Sequence, residues 1–323
     1  MKRPNFENVL KALGDQSKAF PERYLLLFSD LPPKDVSALM AQWPGLAKER
    51  KWELLGDLVK LYLNDNLVSF DALAAPLLSD PDERIRTQAL RLLVDSDDIH
   101  LLPRLIDMAE TDPVTDVRIR AVSLLGNFVE LGELDEISSN FHQMAEDCLL
   151  RLTHSEPPEV QRAALEAIGY SSRPEVETLI QSAYTRSEPK WVASALTAMG
   201  HSASERWEEL VLSKMDDANT DIRRSAVRAA GELRIDVARQ ILLNLLDEED
   251  DDEIFASAVW SLSQIGGEDV RITLETLLDQ AEDDDITEYL QEALDNLDFA
   301  EQLNTFNMLS VDPDDESDIE DLK

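Results

Sequence analysis

Residues 220–231 read TDIRRSAVRAAG. Ile222, Ala226, Val227 and Ala230 recur at intervals of about one helical turn, so they occupy one face of a helix. Asp221 stands where a helix N-terminus favours a negative charge, and Gly231 where a C-cap favours the absence of a side chain.

The same pattern returns along the chain. Ile85, Ala89 and Leu93 repeat it, as do Val117, Ala121, Leu125 with Gly126, and Val160, Ala164, Ile168 with Gly169. Trp191, Ala195, Met199 with Gly200 follow, then Ile254, Ala258, Leu262 with Ser263 in the glycine place. Ile286, Leu290 and Leu294 form the last and weakest copy. The intervals between first positions are 32, 43, 31, 31, 32 and 32 residues. A fixed step with one longer interval is the signature of stacked two-helix repeats carrying one insertion. First helices are predicted from about Ser69, Ile99, Asn140, Pro174, Ser204, Asp236 and Glu268. Second helices are predicted from about Glu83, Thr115, Glu159, Pro189, Thr220, Glu253 and Asp285. Turns rich in Pro and Asp join them, suited to a turn and to a first helical turn alike. The long interval falls at 129–141, VELGELDEISSNF, and predicts an insertion protruding between helices.

Residues 1–65 are helical but off the repeat, punctuated by Pro21, Pro32, Pro33 and Pro44. They predict a cap for the first exposed edge, with Trp43 and Trp52 packed there, since a terminal repeat needs an atypical outer face. The repeats occupy 66–300. Residues 301–323 form an acidic tail with too little apolar material to fold alone.

The chain has 323 residues, 43% hydrophobic, and a formal net charge of −37. From Asp247 onward there are 27 acidic and two basic residues, Arg271 and Lys323, so most of the excess sits at the C-terminal end. A nucleic-acid binder needs a basic stripe to neutralise phosphates, and no such stripe is present. Anionic membranes are disfavoured by the same repulsion. A lone cysteine, Cys148, allows no internal disulfide and fits a reducing cytoplasm. Lys2 and Arg3 precede no apolar run, so no signal peptide is expected.

The repeats resemble HEAT repeats, in particular the short bacterial type shared with phycobilisome-lyase-like proteins. The resemblance covers about Ser69 to Leu297 and implies an all-α, right-handed α-α superhelix: a HEAT-repeat solenoid of about seven two-helix repeats behind an N-terminal helical cap. It also implies a ladder between neighbouring repeats, built from an Asp in each turn and an Arg six residues later. Asp80 with Arg86, Asp112 with Arg118 and Asp217 with Arg223 fit. The equivalent pairs Ser155/Gln161, Arg186/Val192, Glu249/Phe255 and Ala281/Thr287 do not, so the ladder is expected to be broken in the middle and at the end.

Catalytic signals are missing. His100, His142, His154 and His201 include no His-Glu dipeptide of the kind that holds iron in deoxyhypusine-hydroxylase-like HEAT proteins, and no His pair at helical spacing for zinc. No phosphate-binding loop or nucleophile elbow occurs. Cys148, beside Leu149 and Leu150, reads as a buried thiol. The alternating acids from Asp312 to Glu320 lack the glycine a calcium loop needs. No cofactor and no metal are therefore expected.

What remains is a binding face. In such solenoids the second helices line the concave side, and the third and seventh residues from each first position point out of the core. Arg224, Arg228 and Trp260 then fall side by side on adjacent repeats, a composition typical of interface hot spots. Trp207 is a further candidate contact. The sequence thus predicts a non-enzymatic scaffold binding a protein or peptide, basic in view of the charge. A phycobilin lyase-type or chaperone-like role on a client protein is the alternative implied by the resemblance.

Overall fold

Short polar side chains start several of the second helices. Asp82 accepts the Arg84 amide, Asn219 the Ile222 amide, and Asp251 the amides of Glu253 and Ile254. Each satisfies donors that a helix N-terminus otherwise leaves unpaired. At the central repeat the cap is thus Asn219, with Asp221 inside the first turn. The computed structural model describes residues 6–310 apart from 16, 66, 155, 156, 250 and 282. Residues 311–323, most of the acidic tail, lie outside the described residues. Among the described residues the regular elements are all helices.

Packing divides the chain into two units, Met1–Val176 and Glu177–Lys323. The first holds α1 (Phe6–Gly14), α2 (Pro33–Gln42), α3 (Lys48–Asn64), α4 (Asp71–Leu77), α5 (Glu83–Arg91), α6 (Leu102–Thr111), α7 (Thr115–Glu133), α8 (Ser139–Leu152) and α9 (Pro158–Ile168). Most of α10 (Pro174–Tyr184) belongs to the second. With it come α11 (Pro189–His201), α12 (Glu208–Leu212), α13 (Thr220–Glu232), α14 (Ala238–Glu248), α15 (Asp252–Ile265), α16 (Glu268–Gln280) and α17 (Asp284–Ser310). From α4/α5 to α16/α17 the helices form the seven pairs that the repeat step predicts, and each second helix starts within about one residue of its expected position. Within the first unit, α5 packs on α7 and α7 on α9; within the second, α11 packs on α13, α13 on α15 and α15 on α17.

The repeat positions are core. Ile222, Ala226, Val227 and Ala230 are buried, as are their counterparts in α5, α7, α9, α11 and α15. In the last copy Leu290 and Leu294 are buried while Ile286 is 37% exposed.

Two local expectations are corrected. Gly231 is not a C-cap: α13 continues to Glu232 and Leu233 caps it. A Cβ on Gly231 would stand 2.6 Å from Ser261 Cα on α15. Gly126 plays the same part, where a Cβ would lie 3.1 Å from Ala167 Cβ on α9. The glycines are notches through which consecutive second helices approach. The insertion, secondly, does not protrude as a loop. It prolongs α7 to 19 residues, because Phe128, Val129 and Gly132 extend the buried stripe.

The N-terminal cap docks through its two indoles. Trp43, 5% exposed, donates its Nε1–H to Asp80 at 2.9 Å. Trp52 donates to Asp82 at 3.4 Å, beneath the Arg84 guanidinium at 4.2 Å. Trp43 therefore occupies the place on Asp80 that a preceding arginine would take.

The arginine ladder has a definite logic. Arg86 grips Asp112 of the next turn with two bonds of 2.8 Å and donates to the Asp80 carbonyl of its own turn at 3.0 Å. Arg118 donates to the Ala109 carbonyl at 2.8 Å. Arg223 repeats the Arg86 arrangement, donating to the Asp217 carbonyl at 2.9 Å and to Glu249 at 2.9 and 3.2 Å. The ladder thus runs one step further than the Asp-Arg spacing predicts, because the longer Glu249 also offers two oxygens to the guanidinium. Asp217, whose preceding repeat carries Val192 in the arginine place, takes Lys214 at 2.9 Å.

The hydrogen bonds from Arg223 hold the Glu249 carboxyl below its ordinary value against the opposing effect of burial. A carboxyl depressed in the folded state contributes stability above its unfolded pKa, about 4.3, and loses it as pH falls through the lower folded value. Glu249→Gln should therefore lower the thermal midpoint at pH 7, and the gap to wild type should narrow as the pH falls below about 4.3. Melting both proteins across this range checks it; a constant gap would show that charge at Glu249 is not what stabilises the turn.

Candidate functional site

On the second-helix face of the C-terminal unit, α13, α15 and α17 lie in succession. The sequence places Arg224 and Arg228 one turn apart on α13 and Trp260 on α15, and the structure brings two of them together. The Arg228 guanidinium carbon lies 3.3 Å from the centre of the Trp260 ring. Arg228 also approaches Glu232 at 3.4 Å. Arg224 pairs with Glu253 on α15 and with Asp221 at 3.3 Å. Both arginines are thus answered by carboxylates. What the cluster offers is the indole, not free positive charge.

Trp260 forms one wall of a groove of about 260 Å³ between α15 and α17. Val259 and Ala293 give it an apolar floor, Tyr289 stands opposite at 51% exposure, and Glu292 and Asn296 supply polar groups. Ser263, in the glycine place of the repeat, accepts the Asn296 side chain at 3.0 Å and so ties α17 to α15 behind the groove. Tyr289 is the residue that the sequence pattern missed. The signal lay one residue before the core position Leu290, on a helix that the weak last copy leaves partly uncovered.

Trp207 does not join this face. It is 2% exposed and lies under the Arg206 guanidinium at 4.9 Å. Val211 and Met215, four and eight residues on, are buried with it, and that spacing marks a core stripe of the first helix. Its role is packing. Trp191, 9% exposed beneath Arg186 at 3.8 Å, is packed likewise.

Burial pushes the Cys148 thiol up to about 12, with the Glu110 carboxylate adding to the effect, so little thiolate exists near neutral pH. Among the described residues one grouping of metal-ligand type stands outside the sequence expectation: Glu133 at the end of α7 with His142 and Glu146 on α8. His142 and Glu146 are one helical turn apart; a search for histidine pairs passes over them. No described helix is long and apolar enough to cross a membrane.

The family described as HEAT repeats matches residues 208–295, which span α12 to the first part of α17. No curated protein matches the chain. Among solved structures, the CpcE–CpcF complex of phycocyanin lyase from Nostoc sp. is 18% identical, covers 70% of this chain and 94% of its own, and has a TM-score of 0.45. Importin beta is 14% identical over 93% of this chain and 46% of its own, at a TM-score of 0.42. Human deoxyhypusine hydroxylase is 16% identical over 91% and 96%, at 0.38. The family match thus identifies HEAT repeats at residues 208–295, and the helix pairs on their N-terminal side follow the same two-helix plan.

Proposed function

We propose that the chain is a non-catalytic protein-binding module that captures a basic segment of a partner protein on the second-helix face of its C-terminal unit. The observation that carries this is the Trp260–Tyr289 groove, an aromatic-walled slot open to solvent on a strongly acidic background. Stacked helix repeats present extended surfaces suited to peptides and helices. Exposed aromatics supply the anchor that such surfaces use, and the charge selects the sign of the ligand. The occupant is a helix or peptide bearing one large apolar side chain flanked by Lys or Arg. An acidic anchor would find Arg224 and Arg228 already engaged by Glu253, Asp221 and Glu232.

The test is selection from a displayed peptide library on the wild-type protein, counter-selected on Trp260→Ala. The expected winners carry more Lys and Arg than Asp and Glu, include one Leu, Ile, Phe or Trp, and elute as salt rises. The Debye length falls from roughly 10 Å at 0.1 M to about 3 Å at 1 M, so attraction between exposed charges is largely screened. Acidic winners, or peptides held equally well by Trp260→Ala, would contradict the proposal.

A further inference from the structure

Far from the groove in sequence, where α7 meets α8, three side chains of metal-ligand type converge. His142 Nε2 is buried and makes no hydrogen bond among the described residues, yet it lies 3.6 Å from Glu133 Oε1 and 3.6 Å from Glu146 Oε1. The three ligand atoms lie within 4.8 Å of one another. Glu146 is 6% exposed, a degree of burial that a carboxylate tolerates only when it is paired or ligated.

The surroundings orient these groups from outside. Ser172 N–H donates to Glu133 Oε1 at 2.8 Å, and the buried Ser171 hydroxyl donates to Glu146 Oε1. These are the oxygens that face the imidazole. Arg173 stands 4.0 Å from the other Glu146 oxygen while bonding Asp147 at 2.8 Å. Residues 171–173 follow α9, so three separate elements converge on the cluster. The imidazole is admitted by Gly132, where a Cβ would lie 2.6 Å from His142 Cβ. Such outer hydrogen bonds are how metal ligands are aimed and held.

We propose that Glu133, His142 and Glu146 bind a divalent transition-metal cation, zinc being the best fit. A neutral imidazole and two carboxylates carry two negative charges, which a divalent ion balances. Zinc takes nitrogen at about 2.0–2.1 Å and carboxylate oxygen at about 2.0–2.2 Å, which in a tetrahedral site sets ligand atoms roughly 3.4 Å apart. The two 3.6 Å separations need little adjustment to reach this. With three protein ligands, water completes the sphere. The ion would fasten the prolonged end of α7 to α8, and through Ser171 and Ser172 to the segment after α9. It gives a physical reason for the one long repeat interval to end in a short, tight turn.

The experiment uses the full chain, stripped with chelator and titrated with Zn²⁺ by calorimetry, then with Co²⁺ to read its visible absorption. One saturable high-affinity zinc per chain is expected, with the d–d spectrum of a four-coordinate site and a raised thermal midpoint. His142→Gln and Glu133→Gln should each weaken this binding at least tenfold. Glu133 stands at a helix end with its side chain 26% exposed, less buried than His142, so its variant keeps the fold even if His142→Gln does not. Weak binding of several ions that both variants retain would place the metal on the acidic C-terminal segment and overturn the proposal. The absence of any saturable site would overturn it equally.

Discussion

Arg86→Ala should lower the stability of the N-terminal unit by about 3–5 kcal/mol, the cost of removing one partner from a buried ion pair. The side chains of Arg86 and Asp112 are 9% and 5% exposed, and the guanidinium meets the carboxylate with two parallel bonds. Truncation strands the Asp112 charge and frees the Asp80 and Pro81 carbonyls that Arg86 also satisfies. For a unit of this size the midpoint should fall by roughly 6–20 °C. Arg86→Lys keeps the charge but loses the fork, and should fall between the two. Arg86→Met combined with Asp112→Leu should recover much of the loss, since the desolvation of both charges goes with the pair. Thermal melts of the four proteins check this. A change for Arg86→Ala within about 0.5 kcal/mol, the range of an ordinary surface substitution, would show that the ladder contributes nothing to the stack.

Trp260→Ala should weaken binding of a basic, apolar-anchored peptide by about 2 kcal/mol or more, close to 30-fold. The indole supplies the anchoring wall of the groove, and its loss also removes the surface on which Arg228 lies. Freed from the ring, Arg228 would present its charge to a basic ligand and oppose it. Trp260→Phe keeps an aromatic wall and should recover part of the affinity. Calorimetry with the selected peptide measures all three. A Trp260→Ala protein of unaltered helicity and midpoint that binds as tightly as wild type would move the site elsewhere.

The sequence made the helices legible because the repeat speaks seven times. Ile222, Ala226 and Val227 agree with Ile85, Val117 and Val160 on both period and phase, and no single helix had to be judged alone. Substitutions that preserve physics while changing identity were harder to read. Glu249 takes the part of the ladder aspartate because a carboxylate one methylene longer still reaches the Arg223 fork. Gly231 passed for a helix end, as Gly169 at the same place in the repeat is; at Gly126, Gly200 and Gly231 the place is instead a close approach to the next second helix. Trp207 stands where the Asp-Arg ladder is broken, which makes it a candidate contact, yet Val211 and Met215 put it on a core stripe. Of the candidate site, the stacking of Arg228 on Trp260 follows from the register of adjacent repeats. Tyr289 does not, because its exposure depends on what covers α17. The Glu133–His142–Glu146 cluster was illegible for a related reason: its members are joined by a turn that read as an insertion.

The most direct measurement of the central claim is hydrogen exchange across the whole chain, with and without the selected basic peptide at saturating concentration. Slowed exchange should appear in α15 and α17 around Trp260 and Tyr289, should vanish in Trp260→Ala, and should fade at 1 M salt. Protection confined to helices of the N-terminal unit, or unchanged in Trp260→Ala, would contradict the assignment of the binding face.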